Sequence, residues 1–179
     1  RLDFPLTVVA RDADDPETAQ LIRRAREAAG VRVVKRDETR TMLRVLRAGE
    51  VLGILPDQHG GKRGLWVEFM GRPAVTVSGP ATLALRTGAA IVPAFARRLP
   101  DDTLDVYFLP ALKLPTGGDR GADLRAATQL INDVLGAEIQ RHAEQWMWMH
   151  NRWRPRPSDI PTADDCDLEP VERANSAHD

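Results

Sequence analysis

Residues 51–95 decide the fold of this chain: VLGILPDQHGGKRGLWVEFMGRPAVTVSGPATLALRTGAAIVPAF. They start with a short apolar run, Val51 to Leu55, which is typical of a buried strand and stops at Pro56. Asp57 and Gln58 follow directly, and a glycine-rich loop comes after them. Because open α/β sheets bind ligands outside the carboxyl ends of their strands, these two polar side chains stand where a site is expected.

The roles of these polar side chains allow two interpretations. Asp57 and Gln58 either form a latch that bonds the amides of their own loop, or contact the headgroup of a substrate. The neighbouring glycines favour substrate contact, since they let a ligand approach the backbone closely. Arg11, at the end of the first predicted strand, is either a surface ion-pair residue or an anion clamp that uses its bidentate fork.

The residues before this stretch predict strands that alternate with helices. Three strands are expected, at Leu6–Ala10, Val31–Val34 and Val51–Leu55. The helix after the first strand has a capping Asp15 before Pro16, and the helix after the second has Asp37 as its capping candidate. This order predicts an α/β fold with a mixed, partly parallel sheet flanked by helices.

Further elements are expected after the glycine loop. They are strands at Leu65–Phe69, Ile91–Ala96 and Leu104–Leu109, and helices from Ser78 to Leu85 and from Ala122 to Arg141. Residues 145–157, QWMWMHNRWRPRP, form the last predicted ordered piece. Three interpretations of its tryptophans and arginines are open: they stack on bases, they lie at a membrane interface, or they pack the segment onto the sheet. Spacing favours packing for Trp146 and Met149, and an interfacial role remains open for the rest.

Composition predicts one domain followed by an acidic tail. With 179 residues and 42% hydrophobic content, the chain has enough apolar material for one core. Residues 1–157 form the predicted domain. Residues 158–179 hold seven acidic residues against Arg173 and few large apolar side chains, so a disordered tail is expected there.

Basic side chains are concentrated between Gln20 and Arg47. This region contains nine arginines and lysines and three acidic residues, Glu27, Asp37 and Glu38. Such a surface attracts anions, which include lipid headgroups, an acidic carrier protein and nucleic acid. A solvated helix face rich in arginine is the alternative interpretation.

Several kinds of site are excluded by the motifs. The single cysteine, Cys166, cannot form an internal disulfide, and the four histidines are too scattered to predict a metal site. Gly61-Lys62 lacks the leading glycine and the following hydroxyl of a phosphate loop. No apolar run reaches the roughly 18 residues of a membrane span, and no signal peptide is evident.

Four blocks of the chain together resemble the bacterial lipid A biosynthesis acyltransferase family, the lauroyl and myristoyl transferases, within the lysophospholipid and glycerol-phosphate acyltransferase superfamily. The blocks are VVARDADDP, LRAGEVLGILPDQ, FMGRPAVTVSGPATLALRTGAAIVPAF and EQWMWMHNRWRPRP. They occur in family order between residues 5 and 157. Arg11 matches an arginine of the family's first block, and Asp57 with Gln58 matches its Asp-Gln pair.

The resemblance implies a glycerol-phosphate acyltransferase-like fold and acyl transfer from acyl carrier protein or acyl-CoA to a hydroxyl of a lipid A precursor or related anionic glycolipid. It implies no metal or cofactor, and a location at the cytoplasmic face of the inner membrane. Arg11, Asp57, Gln58 and Arg72 are the implied substrate-binding residues. A nucleic-acid partner is not expected.

The family's catalytic pair is a histidine followed five residues later by Asp or Glu, the histidine acting as general base. Gly64, Met147 and Pro155 stand five residues after His59, His142 and His150, so no catalytic residue is expected in this chain. The chain opens on Arg1, and we expect an N-terminally truncated, inactive piece whose pair and membrane helix lie upstream. The alternatives are a transferase for another glycolipid and a non-catalytic module that binds lipid or carrier protein.

Overall fold

A computed structural model describes residues 5–11 and 13–154. The chain divides into two compact units, Arg1–Leu55 and Pro56–Asp179. The predicted α/β class is confirmed, with parallel strands in the first unit and antiparallel hairpins in the second. The predicted domain boundary at residue 157 and the predicted acidic tail lie outside the described residues.

The first unit is a three-stranded parallel sheet with two helices. Its elements are β1 (Leu6–Val9), α1 (Pro16–Ala28), β2 (Val31–Val34), α2 (Thr39–Arg47) and β3 (Val51–Gly53). The strand order is β2-β1-β3, and Leu6 lies opposite both Val31 and Val51. The parallel arrangement expected from the strand–helix–strand order is therefore confirmed.

The two helices of this unit begin differently. Asp15 caps α1 as predicted, because its carboxylate accepts a hydrogen bond of 2.7 Å from the Thr18 amide. The prediction that Asp37 caps α2 is wrong, since Glu38 occupies the N-cap position. The Glu38 carboxylate turns back to accept from the Lys35 amide at 2.9 Å, which leaves α2 without a side-chain cap.

Strand β3 is shorter than predicted. It pairs with β1 over three residues and ends at Gly53. The expectation of a buried run is wrong at both ends, because Val51 is 45% exposed and Leu55 is 85% exposed. The apolar pattern was correct in type, but pairing with β1 sets the length of the strand.

The second unit contains two hairpins and two helices. Its elements are β4 (Leu65–Phe69), β5 (Arg72–Thr76), α3 (Gly79–Thr87), β6 (Ala94–Arg98), β7 (Leu104–Phe108) and α4 (Arg120–Arg141). Single 3₁₀ turns lie at Gly61–Arg63 and Ala143–Gln145. Ser78 occupies the N-cap position of α3, and Gly88 ends that helix in the left-handed conformation.

Strand β5 was not predicted from the sequence. Met70 and Gly71 have φ of 54° and 76°, which is the backbone of a two-residue type I′ turn. Pro73 within the strand hides the alternating pattern, and it is tolerated opposite Glu68 in a two-stranded pair. Strand β4 and helix α3, which come before and after β5, were both predicted, so the second strand of the hairpin is the element that was missed.

Strand β6 begins three residues later than predicted, at Ala94. The preceding residues Ile91 and Pro93 still accept hydrogen bonds of 2.9 Å from Leu112 and Leu109, outside the regular ladder. The apolar side chains of β7 at alternate positions point to solvent, as in Phe108, which is 66% exposed. The hairpin therefore has an exposed apolar face.

Helix α4 packs on both halves of the second unit's core. Ile131 and Ala127 join a cluster with Ala81, and Ile139 joins a second cluster with Phe69. Three polar side chains of α4 bond the backbone of β4: Arg125 donates to Trp66, Gln129 pairs with both backbone groups of Glu68, and Asn132 donates to the Glu68 carbonyl. Within the described ranges, no helix has the length and apolar character to cross a bilayer.

Candidate functional site

Asp57 lies after β3, at the start of the second unit, and is half-buried. Its Oδ2 accepts a hydrogen bond of 3.3 Å from the indole Nε1 of Trp146. Its Oδ1 has no hydrogen-bond partner among the residues that the structure describes. One of the two carboxylate oxygens is thus bonded to the C-terminal part of the described chain.

The other predicted site residues have different surroundings. Gln58 is exposed beside Asp57. Arg72 is exposed at the start of β5, and its guanidinium lies 5.4 Å from the ring centroid of Trp153. Arg11, in the first unit, is exposed and forms an ion pair with Asp14. Whether these side chains bind substrate stays a prediction.

The glycine-rich loop after Asp57 packs directly on β5. The Gly60 amide donates to the Val75 carbonyl at 2.9 Å. A Cβ atom at Gly60 would lie 2.6 Å from the carbonyl carbon of Thr76, and one at Gly64 would lie 2.5 Å from Cγ1 of Val75. These two glycines therefore permit the close approach of the loop to β5, a structural reason that the sequence interpretation did not include.

Two histidines connect this loop to the end of the described chain. The His59 amide donates to Nε2 of His150 at 2.9 Å, and the Gly61 amide donates to Nδ1 of His59 at 3.0 Å. Both accepting nitrogens must be unprotonated. Burial lowers the pKa of His59, the nearby backbone of Arg154 opposes this shift, and the positive charges of Arg154 and Arg152 lower the pKa further. The neutral imidazole is therefore the form that the fold favours.

Acidification is expected to weaken the fold through His59. Because its folded-state pKa lies below the ordinary value of 6.5, the unfolded chain takes up more protons as the pH falls past 6.5. The contribution is complete above pH 6.5 and is lost as the pH falls towards the folded-state pKa. Urea unfolding between about pH 7.5 and 5.5 should show this decline, in a range above the ordinary carboxylate titrations.

A matched variant separates His59 from other titrating groups. In His59→Asn, the introduced amide side chain can still accept from the Gly61 amide but does not titrate. The unfolding free energy of this variant should depend less steeply on pH in the same range. An unchanged slope would show that His59 does not contribute.

Arg152 is the largest fully buried side chain among the described residues, with 0% exposure. Its guanidinium donates to the Val75 carbonyl at 2.9 Å and to Oγ1 of Thr76 at 2.7 Å, and it lies 4.6 Å from the ring centroid of Phe69. Burial lowers the pKa of Arg152 to about 10, and the charge of Asp57 opposes this shift. Arg152 therefore remains a buried cation at neutral pH.

Thr76 joins the buried arginine to helix α4. Its hydroxyl accepts from Nδ2 of Asn132 at 3.0 Å as well as from Arg152. Oδ1 of Asn132 and Nε of Arg152 are buried and have no hydrogen-bond partner within the described part of the chain. This polar network lies inside an otherwise apolar core.

Three aromatic rings lie next to Trp146, whose indole contacts Asp57. Trp146 lies 5.9 Å from Phe69, 4.7 Å from Trp148 and 6.3 Å from Trp153, measured between ring centroids. The indole of Trp153 also donates to the Phe69 carbonyl at 3.2 Å. We call residues 146–154 the C-terminal segment, and Phe69 and Trp153 pack against the Trp146 indole.

The sequence interpretation of this segment was partly wrong. Trp146 packs as predicted, but Met149 is 89% exposed because the segment forms turns rather than a continuous helix. An interfacial role for Arg152 is wrong, since its side chain is buried. The sequence did not single out Thr76 or Asn132. A lone Asn132 next to apolar Ile131 on a helix was the available indication of a buried polar contact.

Comparisons with known proteins agree with the resemblance. Residues 3–155 match the family described as bacterial lipid A biosynthesis acyltransferase. Escherichia coli (strain K12) lipid A biosynthesis lauroyltransferase is 31% identical over 157 residues, which are 86% of this chain and 50% of that protein. E. coli lipid A biosynthesis palmitoleoyltransferase is 27% identical over 138 residues, 75% of this chain and 43% of that protein.

A relative with a different named acceptor also matches. Phosphatidylinositol mannoside acyltransferase of Mycobacterium tuberculosis (strain CDC 1551 / Oshkosh) is 32% identical over 111 residues, 60% of this chain and 32% of that protein. The chain spans about half the length, or less, of these relatives. Since the family match covers most of the chain, with three of the sequence blocks and all but the last two residues of the fourth, this chain belongs to the bacterial lipid A biosynthesis acyltransferase family.

Proposed function

We propose that the protein containing this chain transfers a fatty acyl group from an acyl carrier protein or CoA thioester to a hydroxyl of a lipid A precursor or related anionic glycolipid. The family match over residues 3–155 is the observation that carries this proposal. The named activities of the lauroyl and palmitoleoyl relatives support acyl transfer to lipid A.

In the proposed reaction, Asp57 holds the acceptor. Its Oδ1 accepts a hydrogen bond from the lipid headgroup, while Oδ2 stays bonded to Trp146. Gln58 adds a neighbouring polar contact. Arg11 and Arg72 bind anionic groups of the substrates, because a guanidinium suits phosphate and carboxylate geometry. The proposal includes no metal or cofactor.

The chemical step needs a base that removes the proton from the acceptor hydroxyl. We assign this role to a histidine upstream of Arg1, with an Asp or Glu five residues after it that orients the imidazole. The hydroxyl oxygen then attacks the thioester carbonyl, the carbon–sulfur bond breaks, and the thiol leaves with a proton. Residues 1–179 supply the acceptor-binding side of this arrangement.

We place this reaction at the cytoplasmic face of the inner membrane. The exposed Arg40, Arg44 and Arg47 of α2 support the placement, since Met42 and Val45 of the same helix are buried. A cationic helix face attracts both anionic lipid and an acidic carrier protein. The same face suits either substrate.

A different acceptor is the second candidate. The mycobacterial mannoside acyltransferase supports it, because its name gives a phosphatidylinositol mannoside as substrate and its identity to this chain is 32%. A non-catalytic module that binds lipid or carrier protein is the alternative outside this enzyme class.

Assays of the protein encoded by the complete coding region distinguish these functions. Its purified product is assayed with acyl carrier protein and CoA thioesters separately, against a lipid A precursor and a phosphatidylinositol mannoside. Mass spectrometry of lipids from a deletion strain identifies the natural acceptor. Acyl transfer to lipid A and an underacylated lipid A in the strain support the proposal. No transfer with any pair, together with an unchanged lipid profile, contradicts it.

Asp57→Ala in the complete product is expected to lower kcat/KM for the acceptor by about 10- to 100-fold, since a lost positioning contact costs on this scale. The KM for the acyl donor should change less than about twofold, on the scale of an ordinary surface substitution. Steady-state kinetics with each substrate varied in turn measure both. Gln140→Ala, an exposed change on α4, serves as the control.

A further inference from the structure

The C-terminal segment contacts the loop that begins at Asp57, and the strand β5 on which this loop packs, at three successive residues. Trp146 donates to the Asp57 carboxylate at 3.3 Å. His150 accepts from the His59 amide at 2.9 Å. Arg152 donates to the Val75 carbonyl at 2.9 Å, and the same carbonyl accepts from Gly60 of the loop. The loop is therefore held between β5 on one side and the C-terminal segment on the other.

Trp146 is well suited to direct a carboxylate. An indole has two side-chain torsions and one N–H, so its donor direction is fixed once the ring is packed. Phe69 and Trp153 pack against this ring. The ring is half-buried and its N–H points at Oδ2 of Asp57.

The end of the segment is anchored independently of Asp57. The buried Arg152 makes two hydrogen bonds to Val75 and Thr76, and its charge lies near enough to Asp57 for the two to interact. Arg152 therefore holds this part of the segment through contacts that do not involve the Trp146 indole.

We propose that Trp146 is a positioning residue for Asp57, whose indole N–H holds Oδ2 and thereby turns Oδ1 towards the acceptor lipid. This inference rests on the proposed acyl transfer and adds a residue 89 positions beyond Asp57 to the acceptor side of the site. Trp146 does not touch the reacting atoms. Its effect is confined to the acceptor, because the donor thioester does not use Asp57.

The first test is kinetic and uses the complete protein. Trp146→Phe removes the N–H and keeps an aromatic ring among Phe69 and Trp153. We expect acceptor kcat/KM to fall about 10-fold, donor KM to change less than about twofold, and the midpoint of thermal unfolding to shift by no more than about 4 °C. In an Asp57→Ala background the same substitution should have no further effect on the acceptor, because the two residues act as a unit.

Trp148→Phe is the matched control. Trp148 belongs to the same cluster and is 51% exposed, but its indole donates to the Ala143 carbonyl and not to Asp57. It should keep acceptor kcat/KM within about twofold, as a surface substitution does. Equal losses in the two variants would overturn the proposal, as would unchanged acceptor kinetics in Trp146→Phe.

A second test does not depend on activity. In the complete protein labelled with ¹⁵N-tryptophan, Trp146→Phe identifies the indole N–H resonance of Trp146. Asp57→Ala and Asp57→Asn should move this resonance and leave that of Trp66 on β4 in place. A Trp146 resonance that does not respond overturns the contact. An inactive wild-type enzyme instead overturns the proposed function, while the spectrum still tests the contact.

Discussion

Purified residues 1–179 are expected to transfer acyl groups about 10²- to 10⁴-fold more slowly than the complete gene product. This factor is the usual contribution of a general base to the rate. The physical reason is the state of the described histidines. His59 and His150 use ring nitrogens to accept backbone or loop hydrogen bonds. His142 lies 3.9 Å from Glu138, whose carboxylate is bonded to Tyr107 and Arg141. None of these three is followed five residues later by Asp or Glu.

This prediction is measured by the transfer of a radiolabelled acyl group from its acyl carrier protein thioester or its CoA thioester to a lipid A precursor. Circular dichroism must first show that residues 1–179 are folded. The complete product with the proposed upstream histidine changed to alanine should match the rate of the shorter chain. Comparable transfer by residues 1–179 and the unmodified complete product would contradict the assignment of the base.

Arg152→Ala is expected to destabilise the second unit by about 3–5 kcal/mol, the range for truncating a large buried side chain. The substitution empties the space between Phe69 and the end of β5. It also removes charge-assisted hydrogen bonds to Val75 and Thr76, each worth about 1.5–3 kcal/mol before the relief of desolvation is counted. Urea unfolding followed by tryptophan fluorescence measures the loss.

Two further variants separate packing from charge. Arg152→Met refills part of the volume without a charge, so we expect a smaller loss of about 1–2 kcal/mol. Arg154→Met removes an exposed arginine of the same segment and should stay within about 0.5 kcal/mol of wild type. If Arg152→Ala unfolds like Arg154→Met, the buried network does not hold the segment.

The elements that the sequence predicted well are those with local causes. Helix α1 was expected from a capping Asp15 before Pro16, and the structure shows the cap bond. Helix α4 was expected from its apolar repeat, and its start differs by two residues, at Arg120. Both depend on contacts within a few positions of chain. Strands β1, β2 and β4 were also found, because short runs rich in β-branched or aromatic residues are typical of strands.

The errors concern contacts between distant residues. Pairing with β1 decides where β3 ends, and the ladder with β7 decides where β6 begins. The burial of Arg152 depends on β5, 76 positions earlier in the chain. A charged residue in a tryptophan-rich segment suggested an exposed surface. Only the three-dimensional arrangement shows the carbonyl and hydroxyl that accept its hydrogen bonds.

The candidate site was predicted in part for the same reason. Asp57 follows an apolar strand run, a local pattern that indicates a site by position. Its partner Trp146 is 89 residues away, and nothing in the local sequence connects the two. The glycines were interpreted as room for a ligand, whereas Gly60 and Gly64 are required by the neighbouring β5.

The side chains that α4 extends to β4 have a consequence for self-association. The carbonyl of Trp66 and both backbone groups of Glu68 are already bonded by Arg125, Gln129 and Asn132. An exposed strand edge with free amides and carbonyls is a template for pairing with another chain. Here side-chain amides and a guanidinium occupy three of these backbone groups, so they oppose intermolecular strand addition along this edge of β4 without a further strand.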